Sequence, residues 1–230
     1  MGTCFAKGTS TKYVDNDNAQ QTTSHIKKLP SAHKGPVSCI SRQTPSDETV
    51  LTGGDDCVSS DNFIEKTYLK KTQSVRYINW RTSAILNSWE KLHEADITCI
   101  LYLNDLVLSS SRDVSILACP LFSKNEVKPI AFTGHNRAIT VMEALGTSNK
   151  FVSGSRDTSI RVWDISKQVQ IGQVNIDRNV VTDIKCFGSN ADTNFLQTSE
   201  DLQLRMWDVR SLLQPTMNFS AGSNIQVCAT

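Results

Sequence analysis

This chain of 230 residues has no run of eighteen apolar residues, no apolar stretch behind its first Met, and no Lys or Arg run longer than two. The first absence excludes a membrane-spanning helix and the second a secretory signal, so a cytoplasmic setting is the default expectation. The third, with a formal net charge of +1, removes the one-signed field that nucleic acid or acidic lipid recognition draws on, and nucleic acid is not an expected partner. Cysteine pairing motifs are missing too. The seven cysteines, Cys4, Cys39, Cys57, Cys99, Cys119, Cys186 and Cys228, include no Cys-x-x-Cys, which argues against a disulfide framework and a zinc site; no metal and no cofactor are expected. No Gly-Lys-Ser/Thr follows Gly53-Gly54, so the pair reads as turn chemistry at a strand end and not as a phosphate loop.

What the chain does have is a repeat. FVSGSRDTSIRVWDI at Phe151 to Ile165 recurs as FLQTSEDLQLRMWDV at Phe195 to Val209, and 44 residues separate both Trp163 from Trp207 and Asp157 from Asp201. Each copy reads as two short strands joined by a tight turn, with β-branched and aromatic residues where a half-buried sheet takes them. Gly134 to Val141 supplies a turn and a further strand ahead of the first copy. One four-stranded sheet per 44 residues is the period of a β-propeller blade, and with 39% hydrophobic residues and a mean hydropathy of -0.28 the chain can bury the core such a fold needs.

Laid along the chain, the repeat organises it. Residues 1–29 are polar, without apolar period, and read as a disordered leader. Blades are expected at about 30–90, 91–132, 133–174 and 175–218, with the first strand of a fifth at 219–230. In the first, VSCI and TVLTGGDD are strands, and an insertion at Ser59 to Ser74 stretches the spacing from Asp56 to Asp113 to 57 residues. In the second, Cys119-Pro120 stands where Trp-Asp stands later, and the proline should end the third strand. Cys39 and Cys99 fall at one strand position as small core residues. Four blades and one strand suggest an incomplete propeller, a truncated product or fragment in an open arc, with a compact four-bladed ring as the alternative; an arc would leave apolar sheet on its two end faces.

The Gly134-His135 opening and the Trp163-Asp164 and Trp207-Asp208 endings, in this order and spacing, resemble the WD-repeat β-propeller family over residues 30–230. RNVVTDI at Arg178 to Ile184, LQTSEDLQLRMWDVR at Leu196 to Arg210 and the Met-Gly leader are similar to the WD repeat-containing protein 31 family. The resemblance implies a buried structural tetrad drawn from His135, Ser153, Ser155, Asp157 and Trp163, with His33, Asp56, His93, Asp113, Asp201, Trp207 and Asp208 at equivalent positions. That reading competes with a Ser-His-Asp catalytic triad; no Gly-x-Ser-x-Gly elbow surrounds Ser153, so no catalytic residue and no enzyme activity are expected.

The resemblance further implies a non-catalytic scaffold that binds other proteins, linked to cilium assembly or ciliary trafficking. A Trp-Asp-x-Arg ending also resembles the motif by which some WD-repeat receptors dock the adaptor of a cullin-RING ubiquitin ligase, with Arg210 as the contact. Arg112 and Arg156, preceding the turn aspartates, sit at the rim as solvated turn residues within reach of a partner peptide. Gly2 and Cys4 are candidate acyl acceptors; Ala6 departs from the myristoylation pattern, and two chains would be needed for stable membrane-surface association.

Overall fold

The computed structural model describes residues 33–42, 48–56, 73–122, 128–177, 179–187, 191–212 and 215–220. The leader with Gly2 and Cys4, most of the expected insertion, and residues 221–230 lie outside them. Among the described residues, sixteen strands form four antiparallel sheets, each a simple meander. The first holds β1 (Val37–Ser41), β2 (Thr49–Asp55), β3 (Gln73–Asn79) and β4 (Ala84–His93). The second holds β5 (Ile97–Leu103), β6 (Leu106–Ser111), β7 (Ile116–Pro120) and β8 (Ile130–Phe132). The third holds β9 (Ile139–Ala144), β10 (Lys150–Ser155), β11 (Ser159–Asp164) and β12 (Val169–Asn175). The fourth holds β13 (Val181–Cys186), β14 (Asn194–Ser199), β15 (Gln203–Asp208) and β16 (Met217–Ser220). The result is all-β, an incomplete propeller of four blades.

Alternation along the strands decides how the blades stack. In β10, Phe151 and Ser153 face the second blade while Val152 and Gly154 face the fourth, and both faces are buried. Three apolar cores follow, one in each junction between consecutive blades. Leu51 and Val75 meet Ile97 and Val107 in the first; Leu108 and Phe132 meet Phe151 and Trp163 in the second; Val152 and Val162 meet Phe195 and Trp207 in the third. Among the described residues no such core joins the fourth blade to the first, so the arc is open and not a four-bladed ring. The first strands β1, β5, β9 and β13 approach one another along the inner edge. Approach there is tight: a Cβ on Gly154 would lie 2.4 Å from Val181 Cγ1 of the next blade.

Two local devices repeat. Register shifts fall between Val37 and Cys39, Ile97 and Cys99, Gly154 and Ser155, and Val181 and Asp183, so each first strand carries a β-bulge at the same place, on Ser38, Thr98, Thr140 and Thr182. In the turn joining the second strand to the third, Val114, Thr158 and Leu202 all adopt positive φ, between 62° and 68°. The β-branched Val114 and Thr158 carry local strain there, held in place by the side-chain network around the preceding aspartate.

Several expected boundaries move. The stretch expected as an insertion at Ser59 to Ser74 gives up its last two residues, because Gln73 and Ser74 pair with Asp55 and Gly54 as the start of β3. The outer strand β4 runs through to His93, past the boundary at 90, and β16 reaches Ser220, past that at 218, since its pairing with Gln203 to Met206 keeps it in the fourth blade. Cys39 and Cys99 are half-buried and not fully enclosed, because the inner edge of the arc reaches solvent.

Candidate functional site

The third blade brings together four of the polar residues singled out in the sequence. Trp163 Nε1 donates to Ser153 Oγ at 2.8 Å, His135 Nε2 lies 2.7 Å from the same hydroxyl, and His135 Nδ1 lies 2.9 Å from Asp157 Oδ2. The Asn136 amide and the Ser159 hydroxyl also donate to Asp157. Ser155 stands apart from this chain: its hydroxyl reaches the carbonyls of Arg137 and Ala138 and accepts from the Asp157 amide, tying the turn to the loop before β9. Burial pushes the Asp157 carboxyl up, but the hydrogen bonds from Ser159, Asn136 and His135 outweigh it and leave the group at about 2. Burial pulls His135 below its ordinary value against the opposing pull of Asp157. The imidazole is therefore neutral near pH 7, and Trp163–Ser153–His135–Asp157 forms one chain in which every buried polar group has a partner.

The order Ser153, His135, Asp157 is also that of a hydrolase triad. Access decides against it. Ser153 has no exposed surface and its hydroxyl is held between Trp163 and His135, so no substrate carbonyl can approach its Oγ.

The same arrangement recurs with variations. In the first blade His33 joins Asp56 at 3.0 Å and Thr52 at 2.9 Å; in the second His93 joins Asp113 at 3.0 Å and Ser109 at 2.8 Å. Asp113 is held well below the usual carboxylate range, because hydrogen bonds from His93 and Ser115 outweigh burial. Sequence reasoning passed over a further member, the serine two positions past the aspartate: Ser115 and Ser159 bond Asp113 and Asp157. Ser74, beyond the insertion, plays the same part for Asp56. The fourth blade differs. Asp177 stands at the histidine position, Asp201 pairs instead with Arg205, Ser199 and Asn179, and Trp207 Nε1 donates to Gln197 Oε1 at 3.3 Å. Gln197 Nε2 is buried without a partner.

The arrangement with open chemistry lies elsewhere, at the inner edge of the arc. A cavity of about 620 Å³ spans all four blades. The bulged residues Ser38, Thr98, Thr140 and Thr182 line it, and so do Asp55, Arg112, Arg156 and Glu200, the residue before the turn aspartate in each repeat. A bulge re-aims one side chain out of the strand's alternation, and here it turns one hydroxyl per blade toward the cavity. Thr140 Oγ1 lies within hydrogen-bond distance of both the Gly154 and Val181 carbonyls, bridging two blades. Arg112 pairs with Asp96 at 3.2 Å, and Arg156 is exposed. The two arginines thus stand on the cavity wall and not on an isolated rim. Among the described residues no group of three or more His, Cys, Asp or Glu is placed to hold a metal ion, and no helix is long and apolar enough to cross a membrane.

Arg210 follows β15 of the fourth blade, two residues past Asp208. Its guanidinium is exposed but folded back, with Nε 3.0 Å from Asp208 Oδ1, which holds the Asp208 carboxyl below its usual range.

Comparison with known proteins agrees with the architecture. The family model described as WD domain, G-beta repeat matches residues 24–59 and 127–164. The chain is similar to mitochondrial division protein 1 of Eremothecium gossypii, 25% identical over 176 residues that cover 70% of this chain and 24% of the relative. It is similar to methylosome protein WDR77 of Xenopus laevis, 27% identical over 60% of this chain and 42% of the relative. F-box/WD repeat-containing protein sel-10 of Caenorhabditis elegans is 26% identical over 52% of this chain and 20% of its own length. The matched region therefore spans 20% to 42% of the length of these relatives. Together the matches support the WD40 repeat family.

Proposed function

We propose that this protein is a non-catalytic scaffold that holds polypeptide segments of other proteins at the inner mouth of its arc. One observation carries the reading: the histidine–aspartate networks inside the first three blades are satisfied internally, whereas the cavity presents one hydroxyl and one charged side chain from every repeat. Asp55 and Glu200 flank Arg112 and Arg156, a mixed-sign lining that suits a peptide bearing both charges better than a polyanion. WD-repeat relatives support a protein-interaction role at this coarse level. Charge reversal tests it. Arg112→Glu with Arg156→Glu should leave the melting temperature near that of the parent and remove a defined set of partners from affinity purifications read by quantitative mass spectrometry. An unchanged partner set sinks the reading.

Two narrower readings follow from the sequence. Kinship with the WD repeat-containing protein 31 family, and with it a role in cilium assembly or ciliary trafficking, rests on the runs at Arg178 to Ile184 and Leu196 to Arg210 and on the leader. Membrane-proximal recruitment from the cytoplasm adds the proposal that Gly2 and Cys4 are acylated, which mass spectrometry of the N-terminal peptide checks. The ligase-receptor reading is favoured by the exposure of Arg210. Docking an acidic adaptor surface would require the guanidinium to exchange Asp208 for that surface, and Arg210→Ala should then abolish co-purification of the adaptor. A pull-down that Arg210→Ala does not alter ends that reading.

A further inference from the structure

The four residues that precede the turn aspartates are held alike. The Asp55 amide donates to the Pro36 carbonyl at 3.0 Å, that of Arg112 to Asp96 at 3.0 Å, that of Arg156 to Ala138 at 2.9 Å and that of Glu200 to Val180 at 3.2 Å. In each blade the end of the second strand is thus pinned to the residue just before the first strand, β1, β5, β9 or β13. The four charged side chains therefore leave the backbone at equivalent places, and both sets of residues line the inner cavity.

Within this frame the second and third blades differ by one side chain. Arg112 and Arg156 occupy the same position and both are exposed. Arg112 has a carboxylate at the pinning residue, with Asp96 Oδ2 3.2 Å from its Nη1. Arg156 has the methyl group of Ala138 there instead, and among the described residues its guanidinium makes no hydrogen bond or ion pair. Asp157, next in the chain, is already committed to His135, Asn136 and Ser159. The Arg112–Asp96 pair is exposed, at 62% and 46% of the two side chains, and adds little stability. Its consequence is for ligands. A second carboxylate approaching Arg112 meets the charge of Asp96 as well, whereas one approaching Arg156 meets a guanidinium with its donors free.

We propose that Arg156 is the specificity-determining residue of the cavity, selecting segments that carry a single acidic side chain whose carboxylate takes the guanidinium in paired N–H···O bonds. Arg112, occupied by Asp96, takes no part in that choice. The inference rests on the reading of the cavity as a peptide site and adds which residue chooses the peptide and by what chemistry. Glu200 of the next blade lines the same cavity and sets a limit: it repels a run of acids and leaves a neutral or basic residue beside the selected one.

Random peptides displayed on phage and selected on the immobilised full chain read this preference. The parent should enrich peptides with Asp or Glu at one position, next to neutral or basic residues. Ala138→Asp gives the third blade the carboxylate of the second and keeps the carbonyl that pins Arg156, so it should erase the acidic preference. Arg156→Glu alters an exposed side chain and should replace that preference by Lys or Arg. Asp96→Ala should add a second acidic position, because Arg112 is then as free as Arg156. A synthetic, C-terminally amidated peptide from the parent selection should bind the Ala138→Asp protein roughly tenfold or more weakly, while the circular-dichroism spectrum stays that of the parent. An acidic preference that survives both Ala138→Asp and Arg156→Glu overturns the inference and leaves the peptide-site reading standing. No enrichment over a bare surface overturns both. Two acidic positions already present with the parent would show that Asp96 does not occupy Arg112, and would overturn the division between the two arginines.

Discussion

The third and fourth blades share one backbone path, yet differ in how they satisfy the charge in their turn. Asp157 is enclosed by a histidine, a serine and a backbone amide, with Trp163 closing the chain at Ser153. Asp201 is held by Arg205 and Ser199 in a pairing made within its own hairpin. The strands and the positive-φ turn at Thr158 and Leu202 survive the exchange, so the tetrad is not what makes a blade. It ties a blade's turn to the segment entering its first strand: His135 precedes β9, and Asp157 follows β10. In the fourth blade Asn179 Nδ2 reaches Asp201 Oδ2 at 3.3 Å, and the Glu200 amide donates to the Val180 carbonyl.

The largest contrast between the two blades should come from removing the aspartates. Asp157→Ala strands the His135 Nδ1, the Asn136 amide and the Ser159 hydroxyl, and should cost about 3 kcal/mol, as loss of one partner of a buried charged network does. Asp201→Ala leaves Arg205 its bond to Ser199 and should cost less, about 1 kcal/mol. Urea denaturation of the two variants measures both; equal losses would mean that the two networks bear the same load.

Acid should discriminate next. His135 has a folded pKa below its unfolded one, so the unfolded state binds more protons as pH falls past the ordinary histidine value of about 6.5, and stability declines from there. Asp157, at about 2 in the folded protein, contributes stability that is present above its unfolded value near 4 and is lost as pH falls toward 2. Asp113 and Asp201 are depressed as well and act with the same sign. Melting temperature should thus fall in two stages, first below pH 6.5 and then below pH 4. His135→Gln should remove its share of the first stage, while a variant at Asp177 should leave that stage intact.

The smallest expected effect is a repair. Asp177→His with Gln197→Ser would give the fourth blade the residues of the third and remove the buried, unpartnered Gln197 amide. A gain of about 1 kcal/mol is expected, with the double variant exceeding the sum of the single ones because histidine and serine need each other. Additive single effects would show that Arg205 still monopolises Asp201.

Much of the blade was legible in the sequence because strand alternation and the 44-residue spacing act locally and repeat. His33, His93 and His135 could be placed by counting back four residues from the first strand. The serines at 74, 115 and 159 were harder to see, since Ser74 lies beyond an insertion and only its pairing with Gly54 restores it to register. Ser155 was grouped with the tetrad because alternation gives it the face of Ser153; the backbone carbonyls of Arg137 and Ala138 claim its hydroxyl instead.

What the sequence by itself determined is the blade: which residues are strand, which face each side chain takes, and which polar groups must find one another once buried, since a period of two and a fixed spacing leave little freedom. Tertiary structure alone decided what lies between blades. That the bulged hydroxyls and the residues before each turn converge on one cavity depends on how four sheets fan around a common edge. That Phe132 is enclosed while Phe219 is open depends on whether a fifth surface is present to cover it, and no local pattern carries that information.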